Sequence, residues 1–228
     1  MCIFPFKHFR AKNISMSTKI QDRVKISKQF SKILRHTAHE YPSLSMDQKG
    51  FIPLDSLLAL REFCKQGVDE EFVKHMVEDD SKSRFSLENR NGVLFIRANQ
   101  GHSDSVAESL SSQDIYQPIT DASQIPVVIH GTSLEAWKAI KVSGLKRMRR
   151  SHIHFSTGIV GVDADVRSGM RRSSTIHIYM DVAKCFNKGI RFYRSANNVI
   201  LSEGIDGTIP PDCFLKVVDF KTGTVLYP

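Results

Sequence analysis

The octapeptide Arg149-Arg150-Ser151-His152-Ile153-His154-Phe155-Ser156 runs a cationic pair straight into two histidines separated by one apolar residue. Read as a strand, it points His152 and His154 to one face and packs Ile153 and Phe155 behind them. Arg150 shares the histidines' side by parity. Three groups able to hold phosphate or ribose hydroxyls then converge within about 14 Å of extended chain. The same octapeptide also suits a metal-binding pair or two surface histidines, and nothing inside it decides among these readings. A second histidine motif, His130-Gly131-Thr132, follows the β-rich apolar run Pro126–Ile129. That order sets an imidazole, an unobstructed backbone N–H and a hydroxyl at one strand end.

Other candidate groups sit on elements of the N-terminal half. In Val24–Tyr41 the apolar residues Ile26, Phe30, Ile33, Leu34, Ala38 and Tyr41 recur at helical spacing. At about 100° per residue, Arg35 projects opposite that stripe and His36 falls near its edge. Both are left to face something other than the helix's own core. Gly50-Phe51-Ile52-Pro53 marks a turn and a short extended piece, and Leu54–Leu60 and Asp69–Val77 read as short helices, the second capped by Asp69. Asn91-Gly92 favours a two-residue type I′ turn, which pairs Arg90 with Val93 and, further out, Arg84 with Asn99. Phe85, Leu87, Leu94, Ile96 and Ala98 then share one face, and Arg84, Ser86, Arg97 and Asn99 the other. Three helices followed by a hairpin is the order of a winged-helix unit, a fold often used to hold nucleic acid. The loop Gln100-Gly101-His102-Ser103 suits phosphate contact, and equally any turn. From Ser103 to Ile125 the chain is rich in Ser, Gln and Asp with little periodicity, which places a domain junction there.

Beyond the junction, Thr132 or Ser133 caps a helix reaching Ile140 and stopped by Gly144. A loop Gly158–Arg172 contains Gly169-Met170-Arg171-Arg172. Thr175–Asp181 and Asn198–Ser202 read as strands, and Phe214–Asp219 with Thr224–Leu226 as a closing hairpin. The fold class expected is α+β, with a mostly β second half. No G-x-G-x-x-G follows a strand and no G-x-x-x-x-G-K-[ST] is present, so neither a hydride-transferring Rossmann enzyme nor a P-loop enzyme is supported. A formal charge of +8 across 228 residues favours a polyanionic partner. No apolar run reaches transmembrane length, so no membrane partner is expected. Cys2, Cys64, Cys185 and Cys213 form no CxxC, which points to a reducing intracellular compartment, cytoplasm or nucleus. Lys7, Arg10, Lys12 and Lys19 precede any acid, so residues 1–21 read as a basic, disordered tail or a weak organelle-targeting leader, with Met16 an alternative start.

Taken in order, Ser31-Lys-Ile-Leu-Arg-His-Thr-Ala38, Ser83-Arg84-Phe85, Ile96-Arg-Ala-Asn-Gln-Gly-His-Ser103, His130-Gly-Thr132, Arg150-Ser-His-Ile-His154, Ser168-Gly-Met-Arg171 and Ser195-Ala-Asn-Asn-Val-Ile-Leu201 carry a resemblance. From about residue 22 to 220 the chain resembles the NAD-dependent RNA (tRNA) 2′-phosphotransferase family. The resemblance implies a winged-helix-like RNA-binding lobe over 22–105, a linker over 106–125 and an ADP-ribosyltransferase-like NAD-binding lobe over 126–228. It implies transfer of a splice-junction 2′-phosphate from RNA to NAD⁺. The phosphate attacks the anomeric carbon of the nicotinamide ribose and expels nicotinamide. The ribose 2″-hydroxyl then attacks phosphorus, releasing 2′-hydroxyl RNA and ADP-ribose 1″,2″-cyclic phosphate. Arg35, His36, Arg84 and Arg150 match the family's catalytic residues. His130, Gly131, Thr132, His152, His154, Gly169, Met170, Arg171, Ser195, Asn198 and Val199 match its NAD⁺ contacts, and Arg97, Gln100 and His102 are expected to grip RNA phosphate. No metal is expected, and a monomer is.

Two departures stand out: Asn197-Asn198 where the pattern has Asn-Gly, and Asp80-Ser81-Lys82-Ser83 in place of an Asn-Asp-Lys-Gln type run before Arg84. Three competing readings remain. One is a metallohydrolase on His130, His152, His154 and His177, which would need three ligands to converge on one ion. The others are a non-catalytic nucleic-acid-binding protein and an ADP-ribosyltransferase that leaves ADP-ribose on a phosphorylated RNA end.

Overall fold

A computed structural model describes residues 16–227, apart from Asp165 and Arg167. The expected basic tail lies outside the described residues as far as residue 15. From there helix α1 (Met16–Lys32) begins well upstream of Val24, since residues 17–23 hold no Gly or Pro to stop it. The single helix expected through Tyr41 is also broken. At Ile33 the chain widens into a π turn (Ile33–Thr37), followed by one 3₁₀ turn (Ala38–Glu40). Phe30, Ile33, Leu34 and Ala38 stay buried through this change, so the core stripe survives while the polar residues between are re-aimed.

β1 (Ile52–Pro53) leads into α2 (Leu54–Leu58) and α3 (Arg61–Cys64). The one helix expected there splits because Leu60 is extended, at φ −63° and ψ 139°. In α4 (Glu70–Glu78) the Phe72 N–H donates to Asp69 Oδ1 at 2.8 Å, the cap read from sequence. β2 (Phe85–Arg90) and β3 (Val93–Ala98) pair in the expected register, from Phe85 opposite Ala98 to Arg90 opposite Val93. Asn91 and Gly92 both have positive φ, as a type I′ turn demands. β1 adds to the far side of β3, giving a sheet of order β1-β3-β2. Phe30, Leu34, Ile52, Leu57, Phe63 and Ile96 fill the core beneath it, each large side chain contributing about 1.5–3 kcal/mol by leaving water.

The stretch expected as a linker carries α5 (Asp104–Ala107), α6 (Ser112–Ile115) and β4 (Gln117–Ile119). Ile115, Tyr116, Ile119 and Ile125 are buried. Elements this short leave no periodic trace in sequence. Next come β5 (Ile129–Thr132), α7 (Leu134–Ser143), β6 (Leu145–Lys146), β7 (Ile153–Phe155), β8 (Ile176–Met180), α8 (Val182–Asn187), β9 (Phe192–Arg194), β10 (Ile200–Ser202), β11 (Thr208–Ile209), β12 (Phe214–Asp219) and β13 (Val225–Tyr227). They build antiparallel sheets of order β4-β9-β10-β7 and β13-β12-β8-β5, with β6 and β11 as a separate pair. The two larger sheets meet where Ile129 and Ser156 exchange N–H···O bonds at 3.0 and 2.9 Å. A second core of Phe155, Ile176, Ile178, Phe192, Ile200 and Val217 lies against them. The His-Gly-Thr motif is thus part of strand β5, with Gly131 paired to His177, rather than a feature following it. Among the described residues no helix is long and apolar enough to cross a membrane.

Candidate active site

Two backbone groups stitch the halves of the chain together at the proposed arginines. The Ser103 N–H donates to the Arg35 carbonyl at 2.9 Å, its hydroxyl donates to the same oxygen at 3.2 Å, and Ser103 forms an antiparallel bridge with Arg150. One residue earlier, the His102 carbonyl accepts from the N–H and the hydroxyl of Ser151, at 3.1 and 3.2 Å. Arg35 and Arg150, distant in sequence, therefore flank one short segment of chain. Arg147 closes the turn carrying Arg150, donating to the Arg150 carbonyl at 2.9 Å and pairing with Asp104.

Arg84 arrives from the turn before β2. The Asp80 carboxylate accepts from the Arg84 N–H at 2.6 Å, from the Lys82 N–H at 3.2 Å and from the Arg84 guanidinium. Ser83, at φ 44°, completes the turn. The Asn197 amide donates to the Lys82 carbonyl at 2.9 Å, so the loop after β9 holds this turn from the other half of the chain.

Arg35 lies along the Gly101 backbone, where a Cβ would stand 3.6 Å from its Cδ, Nε and Cζ. Its Nε and Nη2 are buried without a hydrogen-bond partner. Burial, then the charges of Arg150 and Arg84, bring its pKa down to about 10, with Asp80 opposing. It stays a cation at neutral pH, and unsatisfied guanidinium donors in such a place call for an anion. Arg150 is more open to solvent, and partial burial and Arg171 lower its pKa. Burial, Arg84 and Arg172 do the same to Lys82. His36 is exposed, and its pKa falls through desolvation and the charges of Arg35 and Arg150. It is consequently a neutral imidazole at pH 7, able to accept a proton.

The residues matched to NAD⁺ gather around β5 and β7. His130 Nδ1 lies 2.9 Å from the His154 carbonyl; a carbonyl only accepts, so the proton is on Nδ1 and Nε2 keeps its lone pair. Gly131 is required by packing: a Cβ there would meet Met170 Cβ at 2.8 Å and Ser174 at 2.9 Å. Gly169, at φ 108°, leaves only 2.6 Å between its own missing Cβ and the Phe155 oxygen. Together they press the 168–174 loop, with Met170 buried and Arg171 exposed, onto the strands. Ser195 closes a turn with Val199 in which the Val199 N–H donates to Ser195 Oγ at 3.0 Å. Asn198 takes the left-handed backbone expected of it, at φ 58°.

Several expected positions differ. His152 and His154 do not form an open polar wall, because both are buried. The His152 ring packs edge-on against Tyr116 and Tyr193, and the Nε2 atoms of both His152 and His154 are buried without a hydrogen-bond partner. His102 is 1% exposed with Nδ1 at 3.2 Å from the Tyr116 hydroxyl, and burial drives its pKa to about 3. It is neutral and sealed, so it offers RNA no cation. Val199 is fully buried and both its backbone groups bond Ser195, leaving nothing for a ligand. Arg97 does not join Arg84: its guanidinium lies over the Phe51 ring at 4.7 Å and donates to the Lys49 carbonyl. Gln100 is buried. The four imidazoles of the metal reading form no metal-binding group among the described residues. Asp80, Ser103 and Asn197 were read only as members of short runs and given no role of their own, and Arg147 was not singled out; the Asp80–Arg84 ion pair closes a turn, which no helical spacing announces.

Residues 21–204 match the family described as RNA 2′-phosphotransferase, Tpt1 / KptA family. The chain is similar to a putative tRNA 2′-phosphotransferase of Schizosaccharomyces pombe, 42% identical over 97% of this chain and 56% of the relative, so it spans about half that relative's length. It is similar to tRNA 2′-phosphotransferase 1 of Danio rerio, 37% identical over 85% of this chain and 84% of the relative. It is also similar to tRNA 2′-phosphotransferase of Saccharomyces cerevisiae, 35% identical over 86% of this chain and 83% of the relative. With a match over most of its length and relatives this similar, the chain belongs to the RNA 2′-phosphotransferase family of enzymes.

Proposed function

We propose that this protein removes the 2′-phosphate left at an RNA splice junction by passing it to NAD⁺, which is consumed. The observation that carries this is the Arg35 guanidinium, buried with two unsatisfied nitrogens beside the charges of Arg84 and Arg150. Three fixed guanidinium groups suit a phosphate that gathers negative charge as its bonds are exchanged. His36, a neutral imidazole beside them, takes the proton of the ribose 2″-hydroxyl as that oxygen attacks phosphorus.

NAD⁺ supplies an anomeric carbon with a good leaving group, nicotinamide. The chain's residues fit it: His154 Nε2 is buried without a partner, and His130 keeps its Nε2 lone pair. Gly131 and Gly169 allow Met170 and Arg171 to close in from the 168–174 loop. Thr132, Ser195 and Asn198 complete the contacts, and His152 supports them from behind. Gln100 and Arg97 serve the RNA side through the backbone and the long-range field of the guanidinium.

The two cores support a division into a winged-helix-like RNA-binding lobe and an ADP-ribosyltransferase-like NAD⁺-binding lobe, with the reaction between them. A monomer carries all of these groups. The test is mass analysis of products from NAD⁺ and a 2′-phosphorylated oligoribonucleotide. The expected products are 2′-hydroxyl RNA, nicotinamide and ADP-ribose 1″,2″-cyclic phosphate. Arg84→Ala or Arg150→Ala slows the second step by about 10²–10³ and leaves ADP-ribosylated RNA to accumulate. No nicotinamide release from the parent protein overturns the reading. ADP-ribosylated RNA as the parent's final product replaces it with simple ADP-ribosyl transfer.

A further inference from the structure

The Asp80 carboxylate is 6% exposed, yet it sits among cations that must bind a phosphate. An acid in such a site weakens anion binding unless it does something else. Its bonds indicate what. One oxygen takes the Arg84 N–H at 2.6 Å, and the other takes both the Lys82 N–H at 3.2 Å and the Arg84 guanidinium through Nη1. Backbone and side chain of the same arginine are therefore gripped by one group. A guanidinium carries its five N–H donors in a rigid plane. Anchoring Nη1 fixes the plane and leaves the remaining edge of the fork, on a side chain still 34% exposed, for an incoming ligand. The turn itself is closed by backbone bonds independent of the carboxylate, Ser83 N–H to the Asp80 carbonyl at 2.7 Å and Asn99 N–H to the Arg84 carbonyl at 2.8 Å.

We infer that Asp80 is a positioning residue, which aims the Arg84 guanidinium at the phosphate and acts on the reaction only through Arg84. The inference deepens the phosphotransferase reading and rests on it. Asp80 contributes where Arg84 does, in the step that builds charge on phosphorus. It leaves NAD⁺ binding and nicotinamide release alone.

The experiment is a double-mutant cycle on the full chain with NAD⁺ and 2′-phosphorylated RNA, run at a temperature where melting curves show each variant folded. Asp80→Asn keeps the size and loses the charge and one acceptor. Asp80→Glu keeps the charge and displaces it by one methylene. Both are expected to slow conversion of ADP-ribosylated RNA to cyclic phosphate by about 10–100-fold, by analogy with the loss of a group that orients a metal-binding side chain, with the KM for NAD⁺ unchanged. Adding Asp80→Asn to Arg84→Ala is expected to slow that step no further. Parent-like partition in Asp80→Asn overturns the inference. So does an Asp80→Asn effect of the same size with and without Arg84, which marks Asp80 as mere support for the turn, and so does a parent-like Asp80→Glu, which reduces it to net charge. A parent protein that yields no cyclic phosphate fails the functional reading instead, so the two failures are told apart.

Discussion

Replacing Gly169 by alanine tests how the 168–174 loop is held against the strands. The new Cβ would stand 2.6 Å from the Phe155 oxygen and from Ser156 Cα, both backbone atoms, at a residue whose φ is 108°. Neither neighbour yields easily, since Ser156 is tied to Ile129 by a pair of hydrogen bonds. The backbone conformation costs about 1–2 kcal/mol for a side chain, and forced overpacking typically adds about 1–3 kcal/mol. For a chain of this size each kcal/mol lowers Tm by about 2–4 °C, so a drop on the order of 10 °C is expected. Gly189→Ala is the control, because Gly189 has φ 80° but nothing within 4 Å of the added atom. It bears the backbone cost alone. The loop can escape the clash by lifting away, and then part of the loss appears as a raised KM for NAD⁺ rather than a lower Tm. A Gly169→Ala protein that melts with Gly189→Ala and keeps the parent KM would refute the packing argument.

Stability is expected to fall on acidification below about pH 6.5. Burial depresses the folded-state pKa of His152 to about 4 and of His102 to about 3. The unfolded chain therefore binds their protons first, and each residue removes about 1.4 kcal/mol per pH unit as pH falls from 6.5 toward those values. Urea midpoints at pH 7 and pH 5 check this, and a flat profile counts against sealed neutral imidazoles. The +8 charge and the arginine cluster predict RNA affinity that weakens with salt as counterions are released. A titration of 2′-phosphorylated RNA between 50 and 200 mM salt that shows constant affinity removes the basic surface from the account.

Legibility followed the length of the pattern. The β2–β3 register, the Asp69 cap and the helical stripe through Phe30 and Leu34 were readable because each rests on periodicity or on a turn whose chemistry is local. The segment 106–125 was not, since its elements are three or four residues long and their burial depends on partners far away in sequence. Parity failed at His152 because that residue precedes β7 in a bend, where the alternation of a strand does not apply. His102 misled for a related reason. A polar residue in a loop reads as available, and only the fold reveals Tyr116 against its ring. The π turn at Arg35 is a departure from α-helical geometry by one residue, which no hydrophobic spacing announces.

The two bonds that His102 and Ser103 make, one to each half of the chain, act as a rivet. Parting the two cores would mean breaking it. Arg35 and Arg150, on either side of that segment, are registered to each other through main-chain bonds rather than side chains. Arg84 is tied across separately, by the Asn197 amide on the Lys82 carbonyl, so the three guanidinium groups hang from two independent fastenings between distant parts of the chain.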